Sequence, residues 1–254
     1  MRILDLDLDV FVTPINHIHS SIRLQDGEYE LTNQTIIDHF LIDKCGLSSS
    51  APKHGAVFEE HDELFDILKE LVESKQLTVP FEVVHVDAHA DLGLGQWPPF
   101  EYLLTDLMHR PINERSSPVR GQKGLNRGTV LLFIAACEWI SKLYYVHHPA
   151  DGEGVPTLLL DWNDDSDRCS LHVPKCSRED INASKVPFLD WNVLSERCTR
   201  GTLIPIESST LENYCGPEEF DFVFLTRSPG FTPPKADAVF ERIRLMIAPL
   251  GEKR

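Results

Sequence analysis

The sequence predicts an α/β fold, a three-layer α/β/α sandwich around a mainly parallel central sheet. Valine-rich apolar segments alternate along the chain with amphipathic segments of helical spacing, the pattern of a parallel sheet covered on both faces. Acidic residues gather at the carboxyl ends of two of these strands, where such sheets form their sites. At 254 residues and 42% apolar content, the chain suits one domain spanning residues 1–254.

Residues 1–9 read as a first strand of unusual acid content, and 12–33 as polar and irregular. Residues 34–43 (QTIIDHFLID) have helical spacing, and 45–55 (CGLSSSAPKHG) is a loop by its Ser, Pro and Gly content. A strongly periodic helix follows at 59–75, then a buried strand at 81–89 (FEVVHVDAH). Helical spacing returns at 126–141, ahead of strands at 142–148 and 157–162 and a polar stretch containing VPFLDW at 186–191. The last strand lies at 221–228 and the closing helix at 235–248.

The formal net charge of −16 disfavours nucleic acid or an anionic membrane as partner, and no apolar run reaches membrane-spanning length. The acidic alternation of MRILDLDLDV does not read as a signal or transit peptide. Six cysteines without a CxxC pair or a regular framework read as free thiols, which places the protein in a reducing cytoplasm. Homo-oligomerisation is left open.

The run VHVDAHADLGL (84–94) carries Asp87, His89 and Asp91 at two-residue spacing, which on a strand directs all three to one face. Carboxylates crowded together repel unless a cation lies between them, so the run predicts a metal. ILDLDLDV repeats the pattern with Asp5, Asp7 and Asp9, and His61 stands near the start of the 59–75 helix. Asp5/Asp7 and Asp7/Asp9 have the same spacing; the later pair sits nearer the carboxyl end of its strand, and Asp7 belongs to both.

DAHAD resembles the D-A-H-x-D signature of the ureohydrolases, the arginase and agmatinase superfamily. The early D-x-D strand, with the flanking segments HGAVFEEHDELF and FLTRSPGFTP, is similar to an arginase-like family that includes the peptide arginases of ribosomal-peptide maturation. The resemblance implies two Mn²⁺ ions and hydrolysis of an arginine side chain to ornithine and urea, the substrate being an arginine-containing precursor peptide. It implies His61 and Asp91 on one ion, His89 and Asp9 on the other, and Asp7 and Asp87 bridging from neighbouring strand ends. For the proton shuttle it leaves His147, His148 and His109, and for the guanidinium partner Glu63. Asn126 and Arg127 lie where ureohydrolases hold the substrate's amino-acid end, and Trp97 and Phe100 offer an aromatic surface to a peptide backbone.

Other readings remain beside it. A single-zinc amide deacetylase shares the fold, and His147–His148 is a tandem histidine pair, but one metal has no use for all of Asp7 and Asp9. A metal-stabilised peptide-binding protein would keep the ligands without turnover. An aspartyl-phosphate phosphatase is excluded, because the place for its Thr or Val holds Asp9 or Phe11.

Overall fold

In this computed structural model, which describes residues 1–93, 96–150, 154–156, 159–162, 169–184 and 196–251, the first strand lies in the middle of the sheet. Strand β1 (Arg2–Asp7) is followed by a small antiparallel pair, β2 (Val12–Thr13) and β3 (Glu30–Leu31), which roots the polar excursion between them. The other strands are β4 (Lys53–Phe58), β5 (Phe81–Val86), β6 (Ile140–His147), β7 (Leu160–Trp162), β8 (Cys169–Lys175), β9 (Thr199–Thr210), β10 (Phe222–Thr226) and β11 (Ile247–Pro249). Among the described residues the main sheet has nine strands, in the order β11-β4-β10-β1-β5-β6-β9-β8-β7. Pairing is parallel from β11 through β9, while β8 and β7 are added antiparallel at one edge.

Alternation along the central strands divides two cores. Ile3, Val83 and Phe224 face α2 (Glu63–Glu73), α3 (Trp97–Thr105) and α4 (Val130–Ala136). Leu4, Leu6, Val84, Val86 and Leu225 face the other way. That second core is closed by α1 (Gln34–Asp38), a π-helical extension over residues 39–44, and α6 (Asp237–Arg244). A shorter helix, α5 (Arg178–Ser184), follows β8. The expected α/β sandwich is therefore present, with apolar side chains on both sheet faces.

Several boundaries differ from the sequence reading. Lys53–Phe58, read as the end of a loop, is β4, whose Gly55 carries no side chain because a Cβ there would lie 1.6 Å from Val223 O. The 59–75 helix starts only at Glu63, because residues 59–62 form the turn that carries His61 out of β4. The 126–141 segment contains a 3-10 turn and a short α4, and its end already belongs to β6. Helix 235–248 ends at Arg244, and Ile247–Pro249 pairs with β4 as an edge strand. VPFLDW lies outside the described residues, as does the first part of the 157–162 strand.

The free-thiol expectation also needs correction: Cys176 and Cys198 form a disulfide with Cα atoms 4.5 Å apart, whereas Cys45, Cys137, Cys169 and Cys215 form none among the described residues. The pairing joins the end of β8 to the start of β9, a proximity that 22 residues of separation did not signal. Among the described residues no helix is long and apolar enough to cross a membrane.

Candidate metal centre

The site is assembled at the carboxyl ends of four adjacent parallel strands: Asp7 ends β1, His61 follows β4, Asp87 follows β5 and Ser228 follows β10. β4 lies to one side of β1 and β5 to the other, so the chain leaves β1 and β5 around a crevice at their carboxyl ends. These residues line a cavity of about 480 Å³.

Convergence arises differently from the straight-strand reading. Both acid-rich runs leave the sheet before their last acids. Asp7 caps a 3-10 turn at Leu8–Phe11, its Oδ1 accepting from Asp9 N at 3.2 Å, and this bend brings Asp9 back over the strand end. Asp9 Oδ1 then accepts from Ala88 N at 3.1 Å, tying the two runs together. After β5, Asp87 Oδ1 accepts from His89 N at 2.7 Å. Asp91 is turned back by a left-handed backbone at φ 50°, a conformation that costs a non-glycine residue about 1–3 kcal/mol and persists where the surroundings enforce it.

At the centre, His61 Nδ1 lies 2.7 Å from Asp91 Oδ2, 3.2 Å from Asp87 Oδ2 and 3.5 Å from Asp7 Oδ2. This nitrogen is buried and makes no hydrogen bond to any of them. Its partner nitrogen, Nε2, donates to both oxygens of Asp5 at 3.0 Å. That arrangement fixes the tautomer and leaves the Nδ1 lone pair facing carboxylate oxygens, a contact that only a positive charge relieves. Asp5 thereby takes the outer position and the register favours Asp7 with Asp9. His89 Nδ1 sits 2.9 Å from Asp9 Oδ2 and 3.6 Å from Asp87 Oδ1. Two groups, Asp7–His61–Asp87 and Asp9–Asp87–His89, each place three donor atoms close enough to hold a metal ion, and they share Asp87.

Electrostatics express the same crowding. Burial, together with repulsion from Asp9 and Asp87, raises Asp7 well above the ordinary carboxylate range, and burial with the Asp87 charge raises Asp9. Burial alone would depress His61 and His89, but the surrounding carboxylates outweigh it and lift His61 well above its ordinary value and His89 to about 12. Burial would raise Asp5, yet the charges and hydrogen bonds of His61 and His85 hold it well below the carboxylate range. Without metal, protons on imidazole and carboxylate supply the missing positive charge.

Three residues beyond the expected set hold the site in place. His85 donates from Nδ1 to Asp5 Oδ2 at 2.8 Å and from Nε2 to His89 O at 3.0 Å, and stacks between His61 and Tyr145. Its signal was readable, since it precedes Asp87 by two residues among the valines of β5. Asn16 accepts from His89 Nε2 through its carbonyl at 3.1 Å. Ser228 Oγ donates to Asp7 Oδ2 at 2.5 Å from a left-handed backbone, φ 49°.

Ser228 yields a direct expectation. Ser228→Ala should lower metal affinity about 10–100-fold, the usual cost of losing an outer partner. Ser228→Gly should lose affinity equally yet melt higher than Ser228→Ala, because it relaxes the backbone. Calorimetric manganese titration and thermal melts check both; unchanged affinity in Ser228→Ala would show that Asp7 needs no such support.

Six of the expected site residues fall elsewhere. Glu63 Oε1 accepts from the backbone N–H groups of Glu59 and Glu60 at 3.2 and 3.0 Å, capping the turn before α2 instead of facing the cavity. His147 is buried beside the cavity's floor strand and its Nδ1 donates to His148 O at 3.0 Å; it does not line the cavity. Trp97 begins α3, packs against the core and donates from Nε1 to Glu101 Oε2 at 2.7 Å. Asn126 accepts from Gly128 N at 3.0 Å as the cap of a 3-10 turn, and its amide serves Gly124 O at 3.2 Å. His148 engages Thr13 Oγ1 at 2.9 Å and His109 donates to Cys176 O at 3.0 Å, both in structural positions. The cavity is lined instead by Gln96, Arg127 and Gly128, and by His17 and His19 on the excursion between β2 and β3.

Fold and site together define an α/β sandwich with a buried carboxylate–imidazole cluster able to hold metal. No family model, curated protein or solved structure matches the chain.

Proposed function

We propose that the protein is a binuclear manganese hydrolase that converts an arginine side chain within a peptide to ornithine, releasing urea. The observation that carries this reading is the buried His61 Nδ1 facing three carboxylates, adjoined through Asp87 to a second donor group around His89. Asp7, Asp9, His61, Asp87, His89 and Asp91 would hold the ions. Four carboxylate charges balance two divalent cations, and the absence of thiolate suits manganese. Bound there, the ions would supply an activated water and polarise the group under attack.

The chain's own residues do the rest. Asp5 and Ser228 keep His61 and Asp7 aimed inward, and the bends after β1 and β5 hold the carboxylates at fixed separations. When the guanidinium carbon–nitrogen bond breaks, the departing amine needs a proton. His19, exposed at the mouth and making no ring hydrogen bond among the described residues, would relay it. Burial and the Arg127 charge lower its pKa, so it is neutral and can accept as well as donate.

Incubation with Mn²⁺ and arginine-containing peptides should release urea and remove CN₂H₂ from the peptide mass for each arginine converted. Two manganese per chain should accompany it by elemental analysis. A single zinc per chain with no urea from any arginine peptide would overturn the proposal in favour of amide deacetylation.

A further inference from the structure

One wall of the cavity carries hydrogen-bond donors that the metal cluster does not use. Arg127 Nη1 is buried and makes no hydrogen bond, although Glu60 Oε2 lies 2.8 Å away. The Gln96 carboxamide lines the same cavity, engages no partner among the described residues, and packs on Gly128, where a Cβ would lie 2.2 Å from its Nε2. The wall is stiff. Asn126 caps the turn that carries Arg127, with Thr129 Oγ1 accepting from Asn126 N at 2.9 Å, and Gly93 N donates to Gly128 O at 2.9 Å.

We infer that this wall is a subsite for a neutral peptide carbonyl, with Arg127 and Gln96 as donors and Glu60 as the group that discriminates against carboxylates. The identity of the substrate rests on the arginine-peptide reading above. An isolated arginine beside a cavity would favour a carboxylate, because charge-assisted pairs are the stronger ones. Here Glu60 already compensates the charge while leaving the Nη1 donor unsatisfied. A carboxylate bound to Arg127 would be drawn up against Glu60, and like charges at that range repel. A backbone carbonyl takes the same donors without that repulsion. Both side chains of the pair are about one-third exposed, at 34%, so the repulsion is screened but not abolished. The consequence is a preference for arginine followed by another residue over arginine bearing a free carboxylate.

The experiment compares two ligands that differ only at that end, N-acetylargininamide and N-acetylarginine, on the manganese-loaded protein by calorimetry and by urea release. The amide should bind and turn over about tenfold better, the worth of one well-placed hydrogen bond. Glu60→Gln should bring the two ligands level or reverse their order. Arg127→Met should weaken the amide about tenfold through KM, with manganese content unchanged. Should Arg127→Met fail to fold, Gln96→Ala probes the same wall, and full amide binding in that variant counts against the subsite. Urea release with equal use of both ligands, or an unaltered preference in Glu60→Gln, overturns the subsite and leaves the hydrolase standing. Preferential binding of the amide with no urea release overturns the hydrolase and leaves the subsite. Binding of neither ligand overturns both.

Discussion

Replacing His89 with alanine is expected to abolish manganese binding and urea release together while the sheet stays folded. His89 sits beyond the end of β5, about a quarter exposed at 24%, with its Nδ1 on Asp9 and Asp87 and its Nε2 donating to Asn16 O. Truncation therefore removes a donor without opening a cavity in either core. Loss of an outer partner alone costs about 10–100-fold in metal affinity, so loss of a ligand should exceed about a hundredfold. His147→Ala is the contrasting substitution. His147 bonds to the backbone carbonyl of His148 and lies off the cavity, so its variant should retain manganese and turnover. Elemental analysis of the two purified variants, with far-UV circular dichroism to check folding, separates the roles. Full metal content in His89→Ala, or metal loss in His147→Ala, would reassign the site.

The second large effect is on stability, and its sign follows from the shifted titrations. Asp7 and Asp9 titrate above the ordinary 3.8 in the folded chain, so the stability they confer is fully present below 3.8 and is lost as pH rises through their raised values. His61, His85 and His89 are raised above 6.5, so theirs is present below 6.5 and lost as pH climbs, for His89 toward about 12. Asp5 and Asp87 are lowered; their contribution disappears only below 3.8, outside that range. Within the cluster, every shift acting between weakly acidic and alkaline pH therefore points the same way. The metal-free protein should melt progressively lower as pH rises from about 5 to 9. Manganese should reverse the trend, because it displaces protons that are cheaper to lose at high pH. At one hundred times its Kd, each ion adds about 2.7 kcal/mol, or about 5–11 °C in Tm for a chain of this size. Calorimetric melts with chelator and with manganese across that range test it. A metal-free Tm that climbs from neutral to alkaline pH would contradict the origin assigned to the cluster's charges.

Much of the centre was legible because its residue types are expensive to bury. Asp87, His89 and Asp91 after a valine-rich strand, and Asp7 and Asp9 at the end of an acid-rich one, announce a cation before any geometry is known. The reason they converge was misread, since alternation along a strand needs no turn, whereas Asp9 and Asp91 arrive through a 3-10 cap and a left-handed residue. Ser228 and Gln96 were hidden because their relevance depends on partners far away in sequence: β10 pairing with β1 brings Ser228 to Asp7, and Gly128 makes room for Gln96. Asp5 was readable as an acid but not as the partner of His61, a contact across 56 positions. In the fold, the valine-rich strands and the longer helices declared themselves. β8 and β9 did not, because on an antiparallel edge their half-exposed faces mix Thr, Ser and Arg with Ile and Leu.

The central position of β1 has a consequence for how the chain is made. Its two neighbours are β5 and β10, and β10 leaves the ribosome about 215 residues after β1. At a synthesis rate of about 5–20 residues per second, β1 waits on the order of ten to forty seconds with its β10-facing edge unpaired. The nascent chain must shelter that edge, and Ser228 reaches Asp7 only when β10 inserts between β1 and β4. Asp7 thereby gains its outer support only once β10 is in place, so full metal affinity of the centre would wait on the insertion of that strand.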